Sequence, residues 1–155
     1  MIQRIQTVYL LIIAILATCT FFLPVATIYD PAELLLYPLS YKGFTVTIDG
    51  ITETIVHTWM LTIISAIIPI IALITIFLYK KRVLQIRLSF INMVLMLGYY
   101  GILFIYLWQA AKQWDAEWSL NIVAAFPLVC IILNYLAIRA IGKDQALIKS
   151  LNRLR

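Results

Sequence analysis

The chain has 155 residues, 64% of them hydrophobic and 12% charged, with a mean hydropathy of +0.99 and a formal charge of +5. That is more apolar surface than a water-soluble domain can hide in one core, and the length holds four or five membrane spans with no room for a sizeable soluble catalytic domain. The cations stand at the ends of apolar runs, so the positive charge does not mark a nucleic-acid-binding module.

The first apolar run, about Ile5 to Leu23, follows a short basic start, Met1-Ile2-Gln3-Arg4. Leu16-Ala17-Thr18-Cys19 is superficially like a lipoprotein cleavage box. However, the run is longer than a signal core, Thr18 is a poor residue before a modified cysteine, and Phe21-Phe22-Leu23 continues past the supposed cut. A retained first span is expected. Cys19 and Cys130 both fall inside apolar runs, where they read as small buried hydrophobes rather than as a disulfide or metal pair.

Between about Pro24 and Thr54 lies the longest connection. Leu34 to Tyr41 and Phe44 to Ile48 are rich in β-formers, Lys42-Gly43 separates them and Asp49-Gly50 ends the second run. A small β-hairpin is predicted, with Phe44-Thr45-Val46-Thr47-Ile48 alternating in polarity and Pro38 placing its strand at an edge. A hairpin alone is marginal in water, so it docks on the helices as a cap or on another protein.

Three further spans follow, at about Ile55 to Tyr79, Leu88 to Ala111 and Leu120 to Ile138. Hydrocarbon leaves no backbone group unpaired without a cost of several kcal/mol, and the runs lack period-two alternation, so each is helical rather than part of a barrel. The short links Lys80 to Arg87 and Lys112 to Ser119 make spans two, three and four antiparallel neighbours. Pro69 and Pro127 are expected to bend spans two and four, while Ala14, Thr18, Gly98, Gly101, Ala124 and Ala125 would allow close helix approach. After Arg139, the residues Leu147, Ile148, Leu151 and Leu154 recur at helical spacing opposite Lys149 and Arg153, which predicts an amphipathic helix on the cytoplasmic leaflet.

All but two of the 12 Lys and Arg side chains fall on one side of this map, and only Lys42 and Lys112 fall on the other. Lys and Arg resist translocation, so both termini are expected in the cytoplasm. Trp59, Trp108, Trp114 and Trp118 gather at the outer ends, where amphipathic rings prefer the headgroup boundary. The expected fold class is an all-α membrane protein: a single integral domain forming a four-transmembrane-helix bundle, with one extracytoplasmic hairpin and a cytoplasmic amphipathic tail.

No ionisable group occurs at membrane depth, and no phosphate loop, HExxH or nucleophile–histidine pair is present. His57, the single histidine, stands near the outer start of span two without a neighbour at metal-ligand spacing. No cofactor and no enzymatic activity are expected. Asn92 and Asn134 lie at matched depth, each about 6 to 8 Å to the cytoplasmic side of the midplane, which predicts an interhelical amide contact. Lys80, Lys81, Arg82, Arg87, Lys149 and Arg153 are expected to anchor the chain on anionic headgroups.

The opening Met1 to Leu11, the inner link Lys80-Lys81-Arg82-Val83-Leu84-Gln85-Ile86-Arg87-Leu88 and the ending Arg139-Ala140-Ile141-Gly142-Lys143-Asp144 through Arg155 resemble a family called domain of unknown function 4293. The resemblance covers the whole chain. It implies a small four-span inner-membrane protein of Bacteroidota and supplies no activity and no site residues. Three functions are compatible with these residues. The first is a non-enzymatic structural or accessory protein whose outer hairpin or basic face engages lipid or another envelope protein. The second is a transporter or channel subunit acting as a homo-oligomer, with Asn92, Asn134, Pro69 and Pro127 lining a route. The third, and weakest, is a lipid-modifying enzyme built on His57 and outer-face acids.

Overall fold

The structure, a computed structural model, describes residues 5–31, 35–48, 51–79 and 81–153, with side chains up to residue 146. Four helices form: α1 (Ile5–Phe22), α2 (Trp59–Phe77), α3 (Arg82–Trp114) and α4 (Phe126–Arg153). All four runs are long and apolar enough to cross a membrane, the last from Ile122 to Ala146. They pack in cyclic order, each against two neighbours, with α1 closing on α4. The helix-facing stripes are narrow and the remaining surface is apolar, as expected where hydrocarbon replaces water around the chain.

The all-α expectation is overturned. Five strands, β1 (Ala26–Asp30), β2 (Leu35–Ser40), β3 (Gly43–Ile48), β4 (Ile51–Val56) and β5 (Glu117–Leu120), form one antiparallel sheet in the order β4-β3-β2-β1-β5, so the fold is α+β. The predicted hairpin is real as β2 and β3, with Leu39 opposite Phe44 and Ser40 opposite Gly43, but it is the middle of that sheet and Pro38 is not on an edge. The Asp49-Gly50 turn and Leu34 lie outside the described residues. A two-stranded ribbon buries too little to hold its shape. Here the further partners come from segments read otherwise: β1 and the first part of β4 from the unassigned outer connection, the end of β4 from the supposed start of span two, and β5 from the supposed short turn after span three and the supposed start of span four.

The sheet closes one end of the helices. Val25 N–H donates to Leu39 O and Asn121 N–H to Val25 O, while Asn121 Nδ2 donates to Pro24 O at 3.1 Å. One asparagine thus ties the exit of α1 to the entrance of α4 and satisfies backbone carbonyls that neither helix nor strand uses. Beneath the sheet, Trp114 packs against Tyr37 and Phe44, with ring centroids 5.2 and 5.4 Å apart. Asp115, in the left-handed region at φ 48°, ends α3, and Ala116 N–H reaches back to Ala111 O, which turns the chain into β5.

Four other expectations change. The tail is no separate surface helix, because α4 runs unbroken from Phe126 to Arg153. Span four starts later than Leu120, which is in β5, and enters through a 3-10 turn at Ile122–Ala125. Pro127 stands in the first turn of α4, where a missing N–H costs nothing, so it introduces the helix instead of bending it. Gly98 and Gly101 are exposed, with no atom within 4 Å of a built Cβ, and Thr18 and Ala125 are exposed too, so these four do not bring helices together. Ala14 and Ala124 are buried. Pro69 is inside α2 as read.

Candidate functional site

Away from the sheet, the interior is polar. On α3, Gln85, Ser89 and Asn92 are buried on one face, four and then three residues apart, in line with Met96, Tyr99 and Leu103 nearer the sheet. Gln6 on α1, Thr75 on α2 and Asn134 on α4 are buried as well. Cross-helix hydrogen bonds join them: Gln6 Nε2 donates to Asp144 Oδ2 at 2.9 Å, Gln85 Nε2 to Thr75 O at 2.8 Å, and Asn134 Nδ2 to Ser89 O at 3.0 Å. All four helices therefore meet through side-chain amides in this half.

The amide nitrogens of Gln6, Gln85 and Asn134 are used; the oxygens are not. Gln6 Oε1, Gln85 Oε1, Asn92 Oδ1, Asn134 Oδ1 and Ser89 Oγ are buried with no hydrogen-bond partner among the described residues, and so is one donor, Arg82 Nη1. A buried acceptor left unpaired costs about 1 to 3 kcal/mol, so the layer is rich in acceptors and suited to a hydrogen-bond donor such as water.

Asn92 and Asn134 both belong to this layer, as their shared depth suggested. The amide of Asn134 reaches the α3 backbone one turn before Asn92 rather than the Asn92 side chain. This predicts unequal substitutions. Asn134→Leu removes the cross-helix bond and is expected to lower stability by about 0.6 to 2 kcal/mol. Asn92→Leu removes an unpaired oxygen and is expected to be neutral or stabilising. Unfolding of both variants in mixed micelles checks the order, and equal losses contradict it.

Of the expected anchoring residues, Lys81 and Arg87 are exposed and Arg82 is half-buried, all at the helix ends opposite the sheet. Lys80 lies outside the described residues, as do the side chains of Lys149 and Arg153. His57 is exposed in the two-residue link between β4 and α2. Gln6, Gln85 and Ser89 were not singled out from sequence, although their α3 members repeat at a helical spacing ending on Asn92.

Toward the sheet, a cavity of about 10 Å³ opens between Ala17, Thr20, Ser65, Met96, Tyr99 and Cys130, contributed by all four helices. That volume suits about one water molecule. A second cavity of about 10 Å³ shares Thr20, Ser65 and Tyr99 and continues beneath Leu39, Ser40 and Tyr41 of the sheet. At the entrance of α4, the Tyr100 hydroxyl donates to Ala124 O and accepts from Leu128 N–H, so it bridges a carbonyl and an N–H four residues apart that would otherwise bond each other in a helical turn. Cys19 and Cys130 are both free thiols.

Compared with known proteins, residues 2–154 match the family model described as Domain of unknown function (DUF4293). No curated protein and no solved structure matches the chain.

Proposed function

The chain belongs to that family, matched over nearly its whole length, and on this footing we propose that it is an inner-membrane protein with both termini in the cytoplasm, acting without catalysis as a structural or accessory component of the envelope. The start of α1 meets the later part of α4, where Gln6 bonds Asp144, at the helix ends opposite the sheet that also carry Lys81, Arg82, Arg87, Arg139 and Lys143, and the bias of Lys and Arg toward the cytoplasm supports this orientation. The observation that carries the accessory role is the far face of the sheet. Ile28 and Tyr37 face the helices, so Tyr29 and Leu36, paired across β1 and β2, face away from them and are exposed among Thr27, Pro38 and Thr47. Exposed aromatic and aliphatic side chains on a rigid platform favour protein recognition.

A photo-crosslinking residue at position 36 in living cells tests the reading. A discrete adduct with one other envelope protein, abolished by Tyr29→Glu in the folded protein, is expected. Absence of any adduct from positions 29 and 36 contradicts it. A second reading, a subunit of an oligomeric carrier or channel, is favoured by one observation only: the unpaired oxygens of Gln85, Asn92 and Asn134. Solute or ion flux in vesicles that falls with Asn92→Leu would support it.

A further inference from the structure

The polar layer begins at the helix ends and runs inward. Gln6 is the second residue of α1, Gln85 the fourth of α3 and Thr75 the third from the end of α2. From Gln85 the buried face of α3 continues through Ser89 to Asn92, seven residues and about 10 Å deeper at 1.5 Å per residue. Asn134 of α4 is held at the level of Ser89 by its bond to the Ser89 carbonyl. One turn further in, the same faces of α3 and α4 present Met96 and Cys130, both fully buried.

What these atoms lack decides what they can hold. The side-chain oxygens of Gln6, Gln85, Ser89, Asn92 and Asn134 meet no hydrogen-bond partner among the described residues. Arg82 Nη1, one turn before Gln85 on the same helix, has none either. Left dry, five such oxygens forfeit together about as much free energy as a typical domain retains on folding. A cation would satisfy the oxygens but is repelled by Arg82 and by the exposed Lys81 and Arg87 at the same end. An anion would satisfy Arg82 but meets oxygens that carry no proton to give. A small neutral molecule that both donates and accepts serves every one of them, and water is that molecule.

We infer that this half of the bundle is a water-filled vestibule, entered from the basic helix ends and reaching Asn92. Gln85, Ser89, Asn92 and Asn134 are 0 to 3% exposed, so water enters as the helix ends part by about its own width. The three cross-helix bonds use amide nitrogens as donors, so the amide oxygens take up water while those bonds persist. Met96 and Cys130 form the floor, since they also line the separate cavity toward the sheet with Thr20, Ser65 and Tyr99. From Asn92 to Tyr99 is again seven residues, so the vestibule leaves about 10 Å of the bundle axis between its water and that cavity. A wetted half-bundle deepens the carrier or channel reading without depending on it, because it requires no flux.

The test is water-edited magic-angle-spinning NMR of the full-length, isotope-labelled protein in phosphatidylethanolamine–phosphatidylglycerol vesicles. Magnetisation starts on water and is read on backbone amides along one buried face of α3: Gln85, Ser89 and Asn92, with the fully buried Leu103 as the dry control. At short mixing times Ser89 and Asn92 are expected to receive several-fold more water magnetisation than Leu103. Transfer to Ser89 and Asn92 no stronger than to Leu103 overturns the inference. So does strong transfer that stops at Gln85, which would mean only frayed helix ends. In the same sample, magnetisation started on lipid acyl chains is read on the Ile91 side chain, which is exposed beside Asn92. Its absence there would remove the membrane reading whatever the water result, so the two failures are distinguishable.

Discussion

Replacing Gly43 with alanine is expected to cost about 3 kcal/mol or more and to unravel the sheet while the helices persist. Gly43 starts β3 immediately after the Tyr41-Lys42 turn, at φ +112°, where side-chain-bearing residues are strained by about 1 to 3 kcal/mol. A Cβ there would also stand 2.0 Å from Val56 O and 3.1 Å from His57 Cα. That backbone cannot retreat, because Thr58 ends the link and its carbonyl already accepts from Thr62 N–H in the first turn of α2. The clash therefore falls on the junction of strand and helix together. Limited proteolysis of the variant in detergent should cut between β1 and β4, with helical circular dichroism nearly unchanged. A variant as resistant as the parent would contradict the geometry.

The second large effect is expected for Trp114→Ala. Trp114 is the last residue of α3 and the ring that both Tyr37 of β2 and Phe44 of β3 pack upon. Truncating a core Trp or Phe costs about 3 to 5 kcal/mol, and this half-buried ring belongs at the lower end of that range. Most of the loss should appear as undocking of the sheet, since this one ring bears on both strands. Trp114→Phe keeps an edge for Phe44 and should recover more than half of the stability. Thermal unfolding followed by protease sensitivity of the sheet separates the variants, and indistinguishable behaviour of Ala and Trp at 114 would refute the role.

The helices were legible because hydrocarbon admits only one local solution for a long run without charge, and the run lengths alone then place Ile5–Phe22 and Trp59–Phe77 within about four residues, whereas α3 starts at Arg82, well before the run read from Leu88. Most of the sheet was not legible. Ile55 and Val56 are as apolar as the span that follows, so hydropathy assigned the end of β4 to a helix. Glu117-Trp118-Ser119-Leu120 has no local partner at all; it pairs with β1, about ninety residues earlier, and that pairing follows only from the two outer connections emerging side by side. Asn92 and Asn134 stood out because an amide at membrane depth is rare. Gln6 and Gln85 did not, because near helix ends an amide reads as interfacial, and only the packed structure shows them buried. Gly98 and Gly101 illustrate the converse: small residues permit close approach but do not require it, and these two face outward.

The helices are proposed to cross a bilayer with the sheet outside and the basic ends within the cell. Labelling of single cysteines at Thr52 and Lys143 by a membrane-impermeant maleimide, in a Cys19→Ala, Cys130→Ala background, examines this directly. Thr52→Cys is expected to react in spheroplasts and Lys143→Cys only after the membrane is permeabilised. Reaction of Lys143→Cys in sealed spheroplasts, or protection of Thr52→Cys there, would contradict it.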